Sequence, residues 1–412
     1  MKNKLYIVGV GPGGQAHQTF AAAEAIKAAD CVVAAERHLC LASGHNIIRL
    51  ERFEETFKRI EEKLAVGSVS VLVSGDTGIC SLAPLLVKRF GDTAEVMEVP
   101  GVSSIQYLCA AVKEKWDDAV ILSVHGRDIC EARILDAVDK NERAVFLCGP
   151  DKTPQWLCRL LAGSGLGGVA VTVGERLSYG GQTITRGAAA ELARKEFDAL
   201  SVVLTVNSQP WRLVNTYPRD KDFLRSDVPM TRECVRSAII GMLELAPDSV
   251  LWDIGAGTGS VSVASAMQCR DGTVFAVERK AEAAELIEKN VRKFHLHNVK
   301  TIAGDATEVI QSLPAPTHVF IGGSGDELPK ILDYIAGLGG GVRIVISAVT
   351  LKTYAIAAEL LADERFEGTE ANQIAVGSAK KIGGSVIMAA QNPVTLFSAV
   401  TKNTSEKGAV LQ

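Results

Sequence analysis

Short apolar runs alternate with amphipathic stretches through the first half of the chain. The runs "LYIVGV", "CVVAA", "SVSVLVS", "AVILSV", "RAVFLCG", "GVAVTVG" and "LSVVLTV" read as strands, and "FEETFKRIEEKLA" reads as a helix. Such alternation predicts open, largely parallel sheets with helices on both faces. The segment "SVHGRDICEARILDAVDKNE" is polar and helical, so the sheet is expected to divide near Asn141. Two α/β lobes then fill residues 1–206. The stretch "NSQPWRLVNTYPRDKDFLRSDVP", Asn207 to Pro229, holds three prolines and no clean periodicity, and predicts a linker with few core contacts. A fresh pattern starts near Thr231. Its strands are "SVLWDI", "TVFAV", "VKTIA", "THVFI" and "VRIVIS". Between them "KAEAAELIEKNVRKF" is a helix, with Ala284, Ile287, Val291 and Phe294 as its apolar stripe. Glu285–Lys289 and Glu288–Arg292 are i,i+4 pairs in the favourable order. The tail from Asn372 to Val400 predicts two or three strands, with a hairpin at the edge of a parallel sheet. The implied division is 1–208, a linker at 209–227, and 228–412.

Composition narrows the partners. At 412 residues the chain is long enough for two or three cored domains. A net charge of −4 gives no basic field for nucleic acid or anionic membrane. The N-terminal apolar run is short and breaks at glycines and Pro12, unlike a signal peptide. No run approaches a membrane span. The nine cysteines are scattered, which predicts free thiols in a reducing cytoplasm.

Two glycine turns carry the candidate chemistry. In "DIGAGTGS" the glycines stand at 255, 257 and 259, at the carboxyl end of a strand where open α/β sheets bind ligands. Asp253, Glu278 and Asp305 each fall at the end of one of three successive strands. Glu278 is placed to accept both hydroxyls of a ribose, and Asp305 to meet an adenine amino group. A nucleoside site that needs no phosphate suits S-adenosylmethionine (SAM) better than NAD. After the fourth strand, "GGSGDE" lacks the Asn/Asp-Pro-Pro-aromatic motif of nucleobase amino-methylating enzymes, and with Ser324 leaves room for a bulky or anionic substrate.

The stretches "VPMTRECVRS", "LWDIGAGTGSVSVA", "VFAVERK", "GDA", "HVFIGGSG", "AVTL" and "KKIGG" resemble the decarboxylating precorrin methyltransferases of the cobalamin pathway over residues 228–399. The resemblance implies a Rossmann-like class I SAM methyltransferase fold with an antiparallel edge hairpin. It puts SAM contacts on Thr231, Gly255, Ala256, Gly257, Thr258, Gly259, Glu278 and Ala306, beside Asp305 from the strand-end reading.

The first turn, "GVGPGG", satisfies GxGxxG through Gly9, Gly11 and Gly14, with Glu36 in the position of a ribose acid. Pro12 argues against a dinucleotide, because it offers no N–H to a pyrophosphate. The loops "LVSGDTGI" and "VPGVSS" also follow strands, so three loops are expected to converge on one cleft. The set resembles the tetrapyrrole methylases over residues 4–206, with "SIQYLCA" and "SVHGR" pointing to the C5-methylating branch. Gly14 stands where that family has Asp, and Thr77 where it has Pro. The resemblance implies a two-lobed fold and SAM contacts at Pro12, Ser74, Gly75, Asp76, Ile79, Ser103 and Ser104.

Both turns are thus expected to hold SAM, one per half, on two unrelated folds. The implied reaction is methylation of C5 and C15 of a precorrin or cobalt-precorrin, with loss of the ring-C (C12) acetate as carbon dioxide. No catalytic residue is singled out and no resident metal is expected. Arg232, Arg236, Lys380 and Lys381 are candidate partners for substrate carboxylates. His125 follows a strand end and is a site candidate, whereas His295 and His297 read as surface residues near a helix end. Trp156 and Trp252 read as core or interface aromatics, and nothing marks Cys80 or Cys109 as a nucleophile. Both families suggest a homo-oligomer, a dimer or tetramer. The competing readings are a nicotinamide oxidoreductase and an RNA methyltransferase.

Overall fold

The computed structural model describes residues 3–126, 129–212 and 217–402. The chain divides into two compact units, Met1–Ile129 with Ala137–Pro210 and Cys130–Asp136 with Trp211–Gln412.

In the first unit, strands β1 (Lys4–Gly9), β2 (Cys31–Ala34), β3 (Asn46–Arg49), β4 (Val69–Val73) and β5 (Glu95–Val99) form one sheet in the order β3-β2-β4-β1-β5. Every neighbouring pair is parallel. All residues of β2 and β4 are buried, which is why both read as unbroken apolar runs. A second sheet holds β6 (Val120–Ser123), β7 (Arg143–Leu147), β8 (Ala170–Glu175), β9 (Thr183–Ala188) and β10 (Ser201–Val206) in the order β6-β7-β10-β8-β9.

Two expectations are corrected here. The sheets divide between Val99 and Val120, not near Asn141, because the polar bridge is the crossover between parallel β6 and β7. The second sheet is also largely antiparallel, since β10 runs against both β7 and β8, and β8 against β9.

In the second unit, β11 (Val250–Ile254), β12 (Thr273–Glu278), β13 (Val299–Ala303), β14 (His318–Ile321) and β15 (Arg343–Ala348) pair in parallel. The tail adds β16 (Phe366–Ile374), β17 (Gly377–Ile382), β18 (Ser385–Ala390) and β19 (Val394–Thr401), four strands rather than two or three. β19 lies antiparallel between β15 and β16, giving the order β13-β12-β11-β14-β15-β19-β16. β17 and β18 form a separate hairpin. The helix Ala281–Lys293 buries Ala284, Ile287 and Val291, and its C-cap residue Phe294 is buried with them, as the stripe requires. Trp252 is core, its indole N–H donating to the Pro314 carbonyl at 3.1 Å.

Several residues in the expected linker are anchored to the second unit, although Arg225, Ser226 and Asp227 are exposed as a linker would be. Phe223 is 5% exposed and its ring lies 4.9 Å from that of Phe294. Asn290 accepts from the Leu224 N–H at 2.8 Å and donates to the Leu224 carbonyl at 3.2 Å. Arg236, with no exposed surface, donates to the Pro218 carbonyl at 2.8 Å and to Asp220 at 3.1 Å. A stretch without periodicity is here tied down by single anchors, which periodicity does not detect. Among the described residues no helix is long and apolar enough to cross a membrane.

Candidate functional sites

The second unit holds a cleft of about 1670 Å³ at the carboxyl ends of its parallel strands. The first part of the glycine loop, Gly255 to Gly257, lines it. Gly255, Gly257 and Gly259 have φ of +72°, +58° and +76°, a region that side chains rarely adopt. A Cβ on Gly255 would fall 2.2 Å from the Gly323 carbonyl oxygen, so the loops after β11 and β14 meet backbone to backbone. Among the described residues, no atom beyond Gly323 and its chain neighbours lies within 4 Å of where a Cβ on Gly323 would stand, so that backbone borders open space.

Glu278 is held by two backbone N–H groups at the edge of the glycine loop. One carboxylate oxygen accepts from the Gly257 N–H at 2.9 Å and the other from the Lys280 N–H at 3.0 Å. Asp305 caps the helix Ala306–Val309, accepting from the Thr307 N–H at 3.0 Å and its hydroxyl at 2.7 Å. The Thr307 side-chain bond, then the backbone bond, holds its carboxyl below the usual range. Thr231, Gly255, Ala256, Gly257, Glu278, Asp305 and Ala306 line the cleft. Thr258 is buried, and Gly259 stands at the N-cap of the helix Ser260–Ala266.

Three candidates, Asp253, Arg236 and Lys381, move out of this site. Asp253 has no exposed surface. Its carboxylate accepts from the Ser262 hydroxyl, and burial pushes its pKa up to about 7. At that strand end the side chain points into the packed interior. Arg236, proposed as a carboxylate partner, is the buried clamp described above, and it also donates to the Thr231 carbonyl at 2.7 Å. It therefore shapes the site through Thr231. Arg232 and Lys380 do line the cleft, while Lys381, next along β17, does not. Arg225, Arg279, Lys280 and Lys289 add cations that the sequence reading missed, as it did the acid Glu327 after β14. The pair Arg279–Lys280, directly after Glu278, was the available signal.

In the first unit three loops come together. Gly11 and Gly75 bond each other, N–H to carbonyl, at 3.1 and 2.8 Å. Cβ atoms on Gly9 and Gly101 would both strike the Gly75 carbonyl, at 2.8 and 2.3 Å. Asp76 ties the second loop to the third, accepting from the Gly101 N–H at 3.1 Å and the Gly78 N–H at 2.8 Å. Ser103 is buried and caps the helix Ser104–Val112, accepting from the Ile105 N–H at 3.1 Å. Pro12 and Ser104 are half-buried beside these loops, and Ile79 packs against the cluster around Ile105 and Leu108.

The departure at Gly14 has a steric cause. Its N–H donates to the Ser178 hydroxyl at 2.7 Å, and a Cβ would stand 2.6 Å from the Ser178 carbonyl oxygen. The ring of Tyr179 lies over Gly13, where a Cβ would approach it to 2.0 Å. An Asp at 14 has no room. Ser74 is joined to a pair that the sequence reading missed. Its hydroxyl lies 2.8 Å from the His38 imidazole and accepts from the Arg37 guanidinium at 2.7 Å. Burial, with Arg37 nearby, pushes His38 down to about 4. Elsewhere, His125 is exposed and lies against Gly149, while His295 stacks on Trp211 at 5.0 Å. Cys80 is exposed, and burial pushes the Cys109 thiol up to about 11.

Comparison with known proteins bears on both halves. The family described as "Precorrin methyltransferase domain" matches residues 222–401, and "Tetrapyrrole (Corrin/Porphyrin) Methylases" matches residues 4–193. The Salmonella typhimurium cobalt-precorrin-6B C(15)-methyltransferase (decarboxylating) is 34% identical over 178 residues, 43% of this chain and 92% of that protein. The chain belongs to the precorrin methyltransferases. A Sinorhizobium precorrin-6Y C(5,15)-methyltransferase [decarboxylating] is 28% identical over 400 residues, 96% of this chain and 95% of its own length. A solved Geobacter metallireducens precorrin-6Y C5,15-methyltransferase is 34% identical, covering 45% of this chain and 98% of that one, with a TM-score of 0.43. Methyltransferases of this family use SAM as methyl donor. This precorrin methyltransferase therefore carries a tetrapyrrole methylase half and a class I half in one chain, and neither competing reading gains support.

Proposed function

We propose that this precorrin methyltransferase binds one SAM in each half and methylates C5 and C15 of a precorrin or cobalt-precorrin. The second half also removes the ring-C acetate as carbon dioxide. The observation that carries the reading is the pinned carboxylate of Glu278 at the glycine loop, beside a cleft of about 1670 Å³. SAM supplies an electrophilic methyl on its sulfonium. The chain supplies alignment and a dry wall, and holding two reactants together lowers a barrier by about 7–11 kcal/mol. In the cleft Glu278 orients a ribose, Asp305 and Ala306 border the adenine, and Arg232 and Lys380 hold substrate carboxylates. In the first half the backbone of the three loops forms the cofactor cradle, since the side chains of Asp76 and Ser103 are already engaged. We take the enzyme to be a cytoplasmic homo-oligomer that needs neither nucleic acid nor membrane. Calorimetry with S-adenosylhomocysteine should give a stoichiometry near two per chain. A value of one would restrict the reading to a single working half.

A further inference from the structure

Arg37 follows β2, on the 3-10 helix Glu36–Ala42, and no cofactor contact proposed above uses it. Its inner edge is fully engaged. Nε donates to the His38 imidazole nitrogen Nε2 and to the Ser74 hydroxyl, both at 3.2 Å, and a terminal nitrogen donates to the same hydroxyl at 2.7 Å. Arginine has no acceptor, so His38 Nε2 must carry a lone pair and His38 must be neutral. The Ser74 hydroxyl, accepting from Arg37, then donates a hydrogen bond to Nε2 across 2.8 Å, the lone pair there being shared with the Arg37 N–H. The imidazole proton is thereby fixed on Nδ1, which is buried without a partner. His38 is 1% exposed, so this is a packed support. A protonated His38 could not accept and would repel the guanidinium, in keeping with the low value that burial gives it.

A guanidinium is a flat fork with two usable edges. With the Nε edge held by Ser74 and His38, the outer edge stays aimed outward, and Arg37 is exposed. Tyr179, from the second lobe, lies against the glycine loop with its hydroxyl buried and without a partner; burial raises its pKa and the Arg37 charge partly offsets that rise. Through its bonds to Ser74 the cation stands at the second of the three loops.

We propose that Arg37 is the carboxylate anchor of the first site, gripping one acidic arm of the tetrapyrrole with its outer edge while Ser74 and His38 hold it in register. This rests on the reading of the first unit as a methyl-transferring site. It makes Arg37 a binding residue, and His38 a positioning residue that acts through Arg37.

The test uses the full chain, with the acidic tetrapyrrole that accumulates in cells lacking it as substrate and S-adenosylhomocysteine as cofactor probe. Arg37→Met should raise KM for C5 methylation roughly 10- to 100-fold, the loss of a charge-assisted pair, with kcat and S-adenosylhomocysteine affinity little changed. Arg37→Lys should recover only part, because an ammonium has no second edge. His38→Gln should raise KM in the same direction by less. An unchanged KM in Arg37→Met overturns the proposal. So does a loss confined to cofactor affinity, which would make Arg37 a cofactor ligand. A wild-type chain that binds one equivalent of S-adenosylhomocysteine would sink the underlying reading, and the anchor with it.

Discussion

Replacing Glu278 with alanine removes one carboxylate that does two things. It accepts from the Gly257 and Lys280 N–H groups, and on the present account from the ribose hydroxyls as well. Hydrogen bonds to a charged group contribute roughly 1.5–3 kcal/mol each, and water replaces part of each loss. Gly257, at φ +58°, also loses the bond that fixes the loop. A net loss of about 2–3 kcal/mol is expected, or roughly 30- to 150-fold in S-adenosylhomocysteine affinity. The loss should be confined to the second unit. In a calorimetric titration near the wild-type dissociation constant, the stoichiometry should fall from two toward one. Glu278→Gln keeps one carbonyl acceptor and should lose less, about tenfold. C15 methylation and decarboxylation should fall together, while C5 methylation persists on a substrate already decarboxylated and methylated at C15. Normal binding at both sites in Glu278→Ala would refute the ribose assignment. Equal losses from both variants would show that the charge alone matters, and not the number of acceptors.

Other outcomes follow from the packing. Asp253 has a folded pKa near 7 against an ordinary 3.8, so the native state holds the extra proton between those values and stability falls as pH rises through that window. Asp253→Asn should remove this slope, at most about 1.4 kcal/mol per pH unit, and raise the melting temperature of the second unit at pH 8 but not at pH 4. His38 works in the opposite sense. Its pKa of about 4 lies below the ordinary 6.5, so first-unit stability is full above pH 6.5 and is lost as pH falls toward 4, visible as a pH-dependent melt that His38→Gln flattens. Phe223→Ala should destabilise the second unit by about 3–5 kcal/mol in urea melts, and a fragment starting at Arg225 should be markedly weaker than one starting at Trp211. Gly14→Asp should destabilise the first unit by about 1–3 kcal/mol, measured by the same melts, because its Cβ meets the Ser178 carbonyl.

Strands whose faces are both buried were legible, because β2, β4 and β11 must be apolar nearly throughout. The edge strands β3 and β9 were not, because their residues are mostly exposed or half-exposed and carry no apolar run. Strand direction in the second sheet was also hidden, since an interior strand looks the same whichever way it runs. At the sites, Glu278 and the glycines could be placed because strand-to-loop geometry fixes them. Asp253 was misplaced for a related reason. Alternation along β11 decides which face a side chain takes, and a strand buried on both faces gives no pattern to read. Arg236 and the Arg37–His38–Ser74 group depend on contacts distant in sequence. Ser74 meets His38 across 36 positions and Arg236 meets the Pro218 carbonyl across 18, and no local spacing marks either.

The central claim is that one chain performs both methyl transfers and the decarboxylation. Mass spectrometry of the product formed from the accumulated tetrapyrrole with methyl-labelled SAM tests it directly. Two labelled methyls add about 28 Da and the lost carbon dioxide removes about 44 Da, so the product should be about 16 Da lighter than substrate in unlabelled terms. A product carrying one labelled methyl, or two with no loss of carbon dioxide, would contradict the account.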